Sequence, residues 1–185
     1  MKTPASSQPP ALNASPANPE TERRLVGLAP VFDARAQLLV LGSFPGAASL
    51  QAAQYYAHPR NAFWPLMGAL LADATLPALP YAERLQALRR HRVALWDAVA
   101  ACRREGSLDA AIEEAEPSDL PHLVARLPRL RAIACNGALA HKQALLALGE
   151  PGVPVLRLPS TSPAHAGLSL ADKIAAWRAG LACYL

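Results

Sequence analysis

The alternation of short apolar segments with amphipathic ones constrains the fold of this chain most. Four segments rich in Leu, Val, Ile and Ala have the length and composition of buried strands. These predicted strands are 36–42, 92–98, 130–137 and 153–158. The predicted helices are 65–71, 81–91, 120–127, 138–148 and 170–183. Because strands separated by helices favour a parallel sheet covered on both faces, we predict an α/β fold. The predicted architecture is a three-layer α/β/α sandwich around a central, mostly parallel four-stranded sheet.

The beginning of the chain differs in composition from the rest. Residues 1–20 contain five prolines with many Ala, Ser and Asn, and Lys2 and Glu20 are their only charged residues. Such a segment cannot bury enough apolar surface to order itself, and it lacks the apolar region of a signal peptide. We therefore predict a disordered tail over residues 1–22 and one folded domain over residues 23–185.

Composition excludes several classes of protein. Of the 185 residues, 52% are hydrophobic and 17% are charged, which does not fit a disordered chain. No apolar run reaches the roughly 18 residues of a membrane-spanning helix. The net charge of +4 permits an anionic partner without requiring one.

The cysteines and histidines give no sign of a metal site. Cys102, Cys135 and Cys183 are too few for a disulfide framework with several bridges or a four-cysteine cluster, and we expect buried thiols in a reducing compartment. The five histidines show no metal-ligand spacing. We expect no metal, no cofactor, no membrane association and a cytoplasmic location.

Ligands of open parallel sheets bind beyond the carboxyl ends of the strands, so the segments that follow the strands matter most. The first is 42–46 (GSFPG), where a tight turn could expose backbone N–H groups to a polar ligand. An ordinary strand exit is the alternative. The segment is neither a Walker A loop nor a GxGxxG fingerprint, so it does not indicate a nucleotide cofactor.

The second segment, 55–65, concentrates aromatic and polar groups before a predicted helix. It holds four aromatic residues, a His, an Arg and an Asn. Aromatic faces stack on nucleic-acid bases, and amides bind base edges. The alternative is structural, with Phe63 and Trp64 in the core and Asn61 capping the helix. We accept it for Phe63 and Trp64 and favour a functional role for Tyr56 and Asn61.

The third segment, 158–167, places Ser and Thr between prolines after the last predicted strand. A stiff loop with several hydroxyl donors is suited to contacting phosphates. Taken by itself, the segment fits a structural turn better.

Together these segments resemble the uracil-DNA glycosylase superfamily. Segment 42–46 resembles its first motif, a strand-end loop with Pro after the water-activating position. Segment 58–64 (HPRNAFW) is similar to the HPxNxFW segment of the mismatch-specific branch. Segment 158–162 (LPSTS) resembles the second motif, a serine-rich loop that enters the minor groove. The hypoxanthine-DNA glycosylase (DNA-deoxyinosine glycosylase) branch is most similar, because its members also carry a segment like 95–109 (LWDAVAACRREGSLD).

The resemblance spans roughly residues 25–184, with two departures from the pattern. Phe44 stands where the superfamily usually has Asp or Asn, and a phenyl ring cannot orient or deprotonate water. In the hypoxanthine branch, the resemblance assigns this catalytic role to the Asn that matches Asn61. The stretch 116–120 (EPSDL) replaces an Asn-Asp pair common in that branch, which bears on the choice of base.

The resemblance implies a uracil-DNA glycosylase-like fold and an enzyme that flips a deaminated base out of DNA and hydrolyses its N-glycosidic bond. The implied catalytic residue is Asn61. The implied base-binding residues are Gly42, Ser43, Phe44, Tyr56 and His58. The implied DNA-binding residues are Ser160, Thr161, Ser162, Ala164 and His165. The implied partner is double-stranded DNA containing a deaminated base, bound by a monomer.

A glycosylase that also cleaves the strand needs an amine nucleophile near the sugar. Lys142 and Lys173 fall on predicted helices away from these loops, so we expect a monofunctional enzyme. Two alternatives remain open. One is a glycosylase that prefers uracil or G·U mismatches, and the other is a non-catalytic DNA-binding module on the same fold.

Overall fold

The structure is a computed structural model that describes residues 24–184. The predicted tail, residues 1–22, lies outside the described residues. In chain order the strands are β1 (Leu25–Val26), β2 (Leu38–Gly42), β3 (Val93–Asp97), β4 (Val99–Arg104), β5 (Ile112–Pro117), β6 (Ala132–Asn136) and β7 (Val155–Leu158). The helices are α1 (Ala47–Ala52), α2 (Phe63–Leu70), α3 (Tyr81–Arg90), α4 (Leu120–Ala125), α5 (Ala138–Leu148) and α6 (Leu170–Leu181).

The central sheet has the strand order β3-β2-β6-β7, and all of its strand pairs are parallel. The five residues of β2 and of β6 are buried, as expected for inner strands covered on both faces. In the register of this sheet, Gly42 lies opposite Asp97. The parallel four-stranded sheet predicted from the sequence is therefore confirmed, and its carboxyl edge brings the ends of several strands together.

Alternate side chains of the strands point into two separate apolar clusters. Leu38 and Val40 pack with residues of α2, α3 and α6, including the fully buried Trp177. Leu39 and Leu41 pack with residues of α4 and α5 on the opposite face. Burying one such large side chain contributes about 1.5–3 kcal/mol. The helices thus form the two outer layers of the predicted sandwich.

A second, antiparallel sheet with the order β1-β4-β5 was not predicted from the sequence. Its strand β5 is exposed at almost every position and has no apolar alternation, and β1 is only two residues long. Strand β4 follows β3 after a single residue, so the two strands merge in the sequence pattern. This sheet covers a small cluster of Phe44, Val99 and Cys102 beside the end of β2.

The expectation of three buried thiols is wrong for Cys183. Cys102 and Cys135 lie on strands and are buried, whereas Cys183 follows the end of α6 and is exposed. Within residues 24–184 no helix has the length and apolar character needed to cross a membrane. Over the same residues, no group of three or more His, Cys, Asp or Glu side chains is arranged to hold a metal ion.

Candidate active site

The carboxyl ends of β2, β3, β6 and β7 surround a cavity of about 470 Å³. The lining segments are 42–49, 55–56, 58, 61, 97, 107–110, 136–139, 160 and 162–165. The residues expected at the site that line this cavity are Gly42, Ser43, Phe44, Tyr56, His58, Asn61, Ser160, Ser162, Ala164 and His165. Thr161 is absent from the lining. Segments far apart in the sequence thus meet at the sheet edge where ligands of parallel sheets bind.

The loop after β2 is held by the side chain of Phe44. That ring is 6% exposed and packs in the small cluster under the second sheet, with the Arg104 guanidinium 4.9 Å from the ring centroid. Arg104 also donates a hydrogen bond to the carbonyl of Pro45. Phe44 is therefore an anchor that fixes the path of the loop backbone along the cavity.

One wall of the cavity comes from the turn after β4. The Ser43 hydroxyl donates to a carboxylate oxygen of Asp109 at 2.6 Å, and the Ser107 hydroxyl accepts from the amide of Ala47 at 2.9 Å. Both hydrogen bonds are exposed. This turn belongs to the segment 95–109 noted in the sequence, but no site role was expected for it.

Tyr56 forms a rigid side of the cavity. Its ring stacks on Phe63 with centroids 3.8 Å apart and an interplanar angle of 18°. The backbone of Tyr56 has φ of 54°, in the left-handed region that a bulky residue rarely adopts. Burial raises the pKa of its hydroxyl, which stays neutral at physiological pH. Strain of this kind persists only where the surroundings fix the residue, and such residues cluster at functional sites.

Asn61 has both a structural and a cavity-facing position. Its Oδ1 accepts a hydrogen bond from the amide of Phe63, the first residue of α2, at 3.0 Å, which is the kind of structural role that the alternative gave it. Its Nδ2 makes no hydrogen bond within the described part of the chain, and the residue lines the cavity. Nearby, Nδ1 of His58 accepts from the amide of Arg60 at 3.1 Å, so the neutral ring carries its proton on Nε2.

The amide of Asn136, at the end of β6, joins two sides of the cavity. Its Nδ2 donates to Thr161 Oγ1 at 2.8 Å and to the Tyr56 hydroxyl at 3.2 Å, while its Oδ1 accepts from the Thr161 amide at 2.8 Å. Thr161 is 1% exposed. Its side chain therefore points into the protein and anchors the loop after β7, where the sequence suggested a DNA contact.

The rest of that loop faces outward. The hydroxyl oxygens of Ser160 and Ser162 each accept a backbone amide at 3.2 Å, so their O–H hydrogens remain available to a ligand. The expectation that Lys173 lies away from this loop is wrong. Because α6 begins beside the loop, Lys173 Nζ donates to the carbonyl of His165 at 2.9 Å. Burial lowers the pKa of this lysine, which does not line the cavity.

Asp97, at the end of β3, is a buried carboxyl group that no sequence argument singled out. It lines the cavity, is 4% exposed, and its Oδ2 has no hydrogen-bond partner. A Cβ placed on Gly42 would lie only 2.2 Å from Asp97 Oδ1, so any side chain at position 42 would displace the Asp97 carboxyl group. Burial and the nearby carboxylate of Asp109 raise the pKa of Asp97 to about 7, and Arg104 opposes this rise.

The family model of the uracil DNA glycosylase superfamily matches residues 29–179. The chain belongs to this superfamily. Two curated relatives are each named hypoxanthine DNA glycosylase. The one from Methanosarcina barkeri (strain Fusaro / DSM 804) is 39% identical over 111 residues, which is 60% of this chain and 70% of the relative. The one from Methanosarcina acetivorans is 37% identical over 139 residues, which is 75% of this chain and 87% of the relative.

A solved structure supports the same placement in the superfamily. It is a solution NMR structure of a protein from Methanosarcina acetivorans described as a candidate uracil DNA glycosylase. The two structures agree with a TM-score of 0.74 at 33% sequence identity, over 85% of this chain and 98% of the other. The family and the fold expected from the sequence are confirmed.

Sequence reasoning missed several polar residues of the cavity, and three of them, Asp97, Asn136 and Asp109, carry carboxyl or amide groups. A usable signal was present for two of them. Asp97 and Asn136 are the last residues of buried strands, and polar side chains at that edge of a parallel sheet face the ligand site. Asp109 carries no such signal, because it reaches the cavity only through the turn after β4.

Proposed function

We propose that this protein is a DNA glycosylase that releases hypoxanthine from deoxyinosine in double-stranded DNA. The observation that carries the proposal is the 37% identity, over 75% of the chain, to a relative named hypoxanthine DNA glycosylase. The cavity at the sheet edge supports it, because a base that undergoes chemistry must leave the duplex and enter a pocket.

The base side of the cavity consists of Tyr56, His58 and the loop 42–46. We assign the face of Tyr56 to stacking on the flipped base, with Phe63 supporting the ring from behind. The backbone N–H groups near Ser43 and Phe44 bind the carbonyl edge of the base. His58 contributes its Nε2–H to the cavity or to the DNA.

Asn61 takes the catalytic role that Phe44 cannot fill. Its Oδ1 is held by the amide of Phe63, which leaves Nδ2 to position water or the departing base. An amide is a poor general base, so bond breaking precedes attack by water and gives the sugar oxocarbenium character. Catalysis then depends on placement and electrostatics.

The loop after β7 meets the DNA backbone. Ser160 and Ser162 contact phosphates, and the exposed Ala164 and His165 lie nearest to the gap left by the flipped nucleotide. Thr161 acts indirectly, through its hydrogen bonds to Asn136. Phosphate contacts position the protein on the duplex and supply most of its affinity.

Within the described residues, no lysine side chain lines the cavity, which supports a monofunctional enzyme without an amine nucleophile. We propose a monomer that acts on DNA in the cytoplasm. The site residues fall within the proposed domain 23–185.

The test is a panel of duplexes that each carry one hypoxanthine, uracil or xanthine, or adenine as a control, followed by alkaline strand scission. We expect cleavage at hypoxanthine to be fastest. Preferred cleavage at uracil would favour the alternative of a glycosylase that prefers uracil or G·U mismatches, which the description of the solved relative supports. Binding without cleavage of any duplex would leave only a non-catalytic module.

A further inference from the structure

Asp97 stands at the cavity with a carboxyl group that the protein leaves unpaired. Its side chain makes no hydrogen bond within residues 24–184, and Oδ2 is fully enclosed. Buried polar groups are nearly always hydrogen-bonded, because an unmade bond in a dry site costs free energy. The missing Cβ of Gly42 leaves room for this carboxyl group at the cavity edge. Oδ1, the carboxyl oxygen beside Gly42, is not enclosed in this way, and it is the atom placed to interact with what enters the cavity.

The charged and titratable groups around Asp97 come from several elements. Asp109 after β4 and Arg104 on β4 act on it with opposite signs, and Tyr55, Tyr56 and Tyr81 face it as neutral phenols. Burial is the largest influence and disfavours the ionised form. The pKa of about 7 means that a substantial fraction of Asp97 carries a proton at neutral pH. A group that titrates near the working pH is well suited to proton transfer.

We propose that Asp97, in its protonated form, is the general acid that transfers a proton to the departing base. The proposal rests on the proposed glycosylase function. In this step the bond between C1′ and the base nitrogen breaks, and its electron pair goes to the base. The Asp97 proton passes to the base, which leaves neutral, and Asp97 becomes a carboxylate. Water then adds its oxygen to C1′, and the proton it releases restores the acid.

Three other ionisable side chains of the cavity, Asp109, Tyr56 and His165, are less suited to this role. Asp109 already accepts a hydrogen bond from the Ser43 hydroxyl at 2.6 Å, so its carboxyl group is not unpaired. The phenol of Tyr56 is neutral but too weak an acid near pH 7, because burial raises its pKa further. His165 lies on the exposed loop that faces the DNA. Asp97 alone among these four combines burial, an unpaired oxygen and a proton at neutral pH.

The test measures single-turnover release of hypoxanthine by the full chain from pH 5 to pH 9. For the wild type we expect a plateau below about pH 7 and a fall of about tenfold per pH unit above it. Asp97→Asn keeps the shape but cannot give up a proton, so we expect a rate lower by about 10²–10³ that no longer falls above pH 7. Asp33→Asn is the matched control. It makes the same chemical change in the loop before β2, and we expect the wild-type profile.

The affinity for a duplex that carries an uncleavable deoxyinosine analogue distinguishes an effect on binding from an effect on the chemical step. The dissociation constant of Asp97→Asn for this duplex should differ from that of the wild type by less than threefold. The proposal is overturned if Asp97→Asn releases hypoxanthine as fast as the wild type, or if the wild-type rate rises through pH 7. A wild type that releases no hypoxanthine at any pH would instead refute the proposed function. If Asp97→Asn does not fold, the wild-type profile together with a carbon NMR titration of the Asp97 carboxyl group decides, because both must show the same midpoint.

Discussion

Replacing Asp97 by Asn should change how the stability of the protein depends on pH. The folded state raises the pKa of Asp97 from 3.8 to about 7 through burial, whereas the unfolded chain leaves it near its ordinary value. Between pH 4 and pH 7 the unfolded chain therefore binds fewer protons than the folded one, and stability falls as pH rises. The difference in pKa corresponds to about 4 kcal/mol. This is a large part of the 5–15 kcal/mol that is typical of a domain.

Urea unfolding followed by circular dichroism at intervals from pH 4.5 to pH 8 measures this effect. As the pH rises toward 7, the free energy of unfolding of Asp97→Asn should increase relative to the wild type by up to about 1.4 kcal/mol per pH unit. Above pH 7 this difference should stay constant. Asp33→Asn is the control, because the hydrogen bond from Arg35 lowers the pKa of Asp33 and its stabilisation is lost only at lower pH. A difference between Asp97→Asn and the wild type that stays constant from pH 4.5 to pH 8 would refute the burial argument.

Four further outcomes are expected. Gly42→Ala should lower both the melting temperature and hypoxanthine release, because its Cβ would lie 2.2 Å from Asp97 Oδ1. Gly167→Ala meets no atom within 4 Å and should keep the wild-type melting temperature. Asn61→Ala should reduce the single-turnover rate by about 10²–10³ with little loss of DNA affinity. If it only lowers stability by about 1 kcal/mol and leaves the rate unchanged, the role of Asn61 is structural, at the start of α2. Tyr56→Ala should lose more activity than Tyr56→Phe, because only the alanine variant loses base stacking, which is worth about 1–3 kcal/mol. Equal losses in the two variants would mean that the hydroxyl, and not the ring, is used. Affinity for duplex DNA in a fluorescence titration should fall steeply with salt, and a flat response would argue against phosphate contacts.

The central sheet and its helices could be predicted because their sequences carry the physical signal of burial. Strand β2 is apolar throughout, and α5 and α6 begin and end within two residues of the predicted bounds. Strand β5 carries no such signal. Half of its residues are charged and nearly all are exposed, and it is a strand because β4 pairs with it. Pairing between distant segments is a tertiary property that a local pattern does not show.

The candidate site was predictable where a motif holds several unusual residues together, as around Tyr56 and Asn61. It was not predictable where a common residue gains its role from its neighbours. Nothing in the local sequence distinguishes Asp97 from other aspartates. Its position at the cavity depends on the parallel register that places Gly42 opposite it. Thr161 looked like a phosphate contact in the sequence, but the end of β6 places Asn136 beside it.

The bonding of Asn136 has a consequence for the range of bases that the cavity accepts. The planar amide of Asn136 joins the side of the cavity formed by Tyr56 to the loop after β7, which faces DNA. It therefore fixes the distance between the stacked base and the phosphate backbone. The wall formed by the turn after β4 is held by exposed hydrogen bonds: the Ser43 hydroxyl donates to Asp109, and the Ser107 hydroxyl accepts from the amide of Ala47. A base wider than hypoxanthine must therefore be admitted by movement of that turn, and changes in substrate width should arise from residues 106–110.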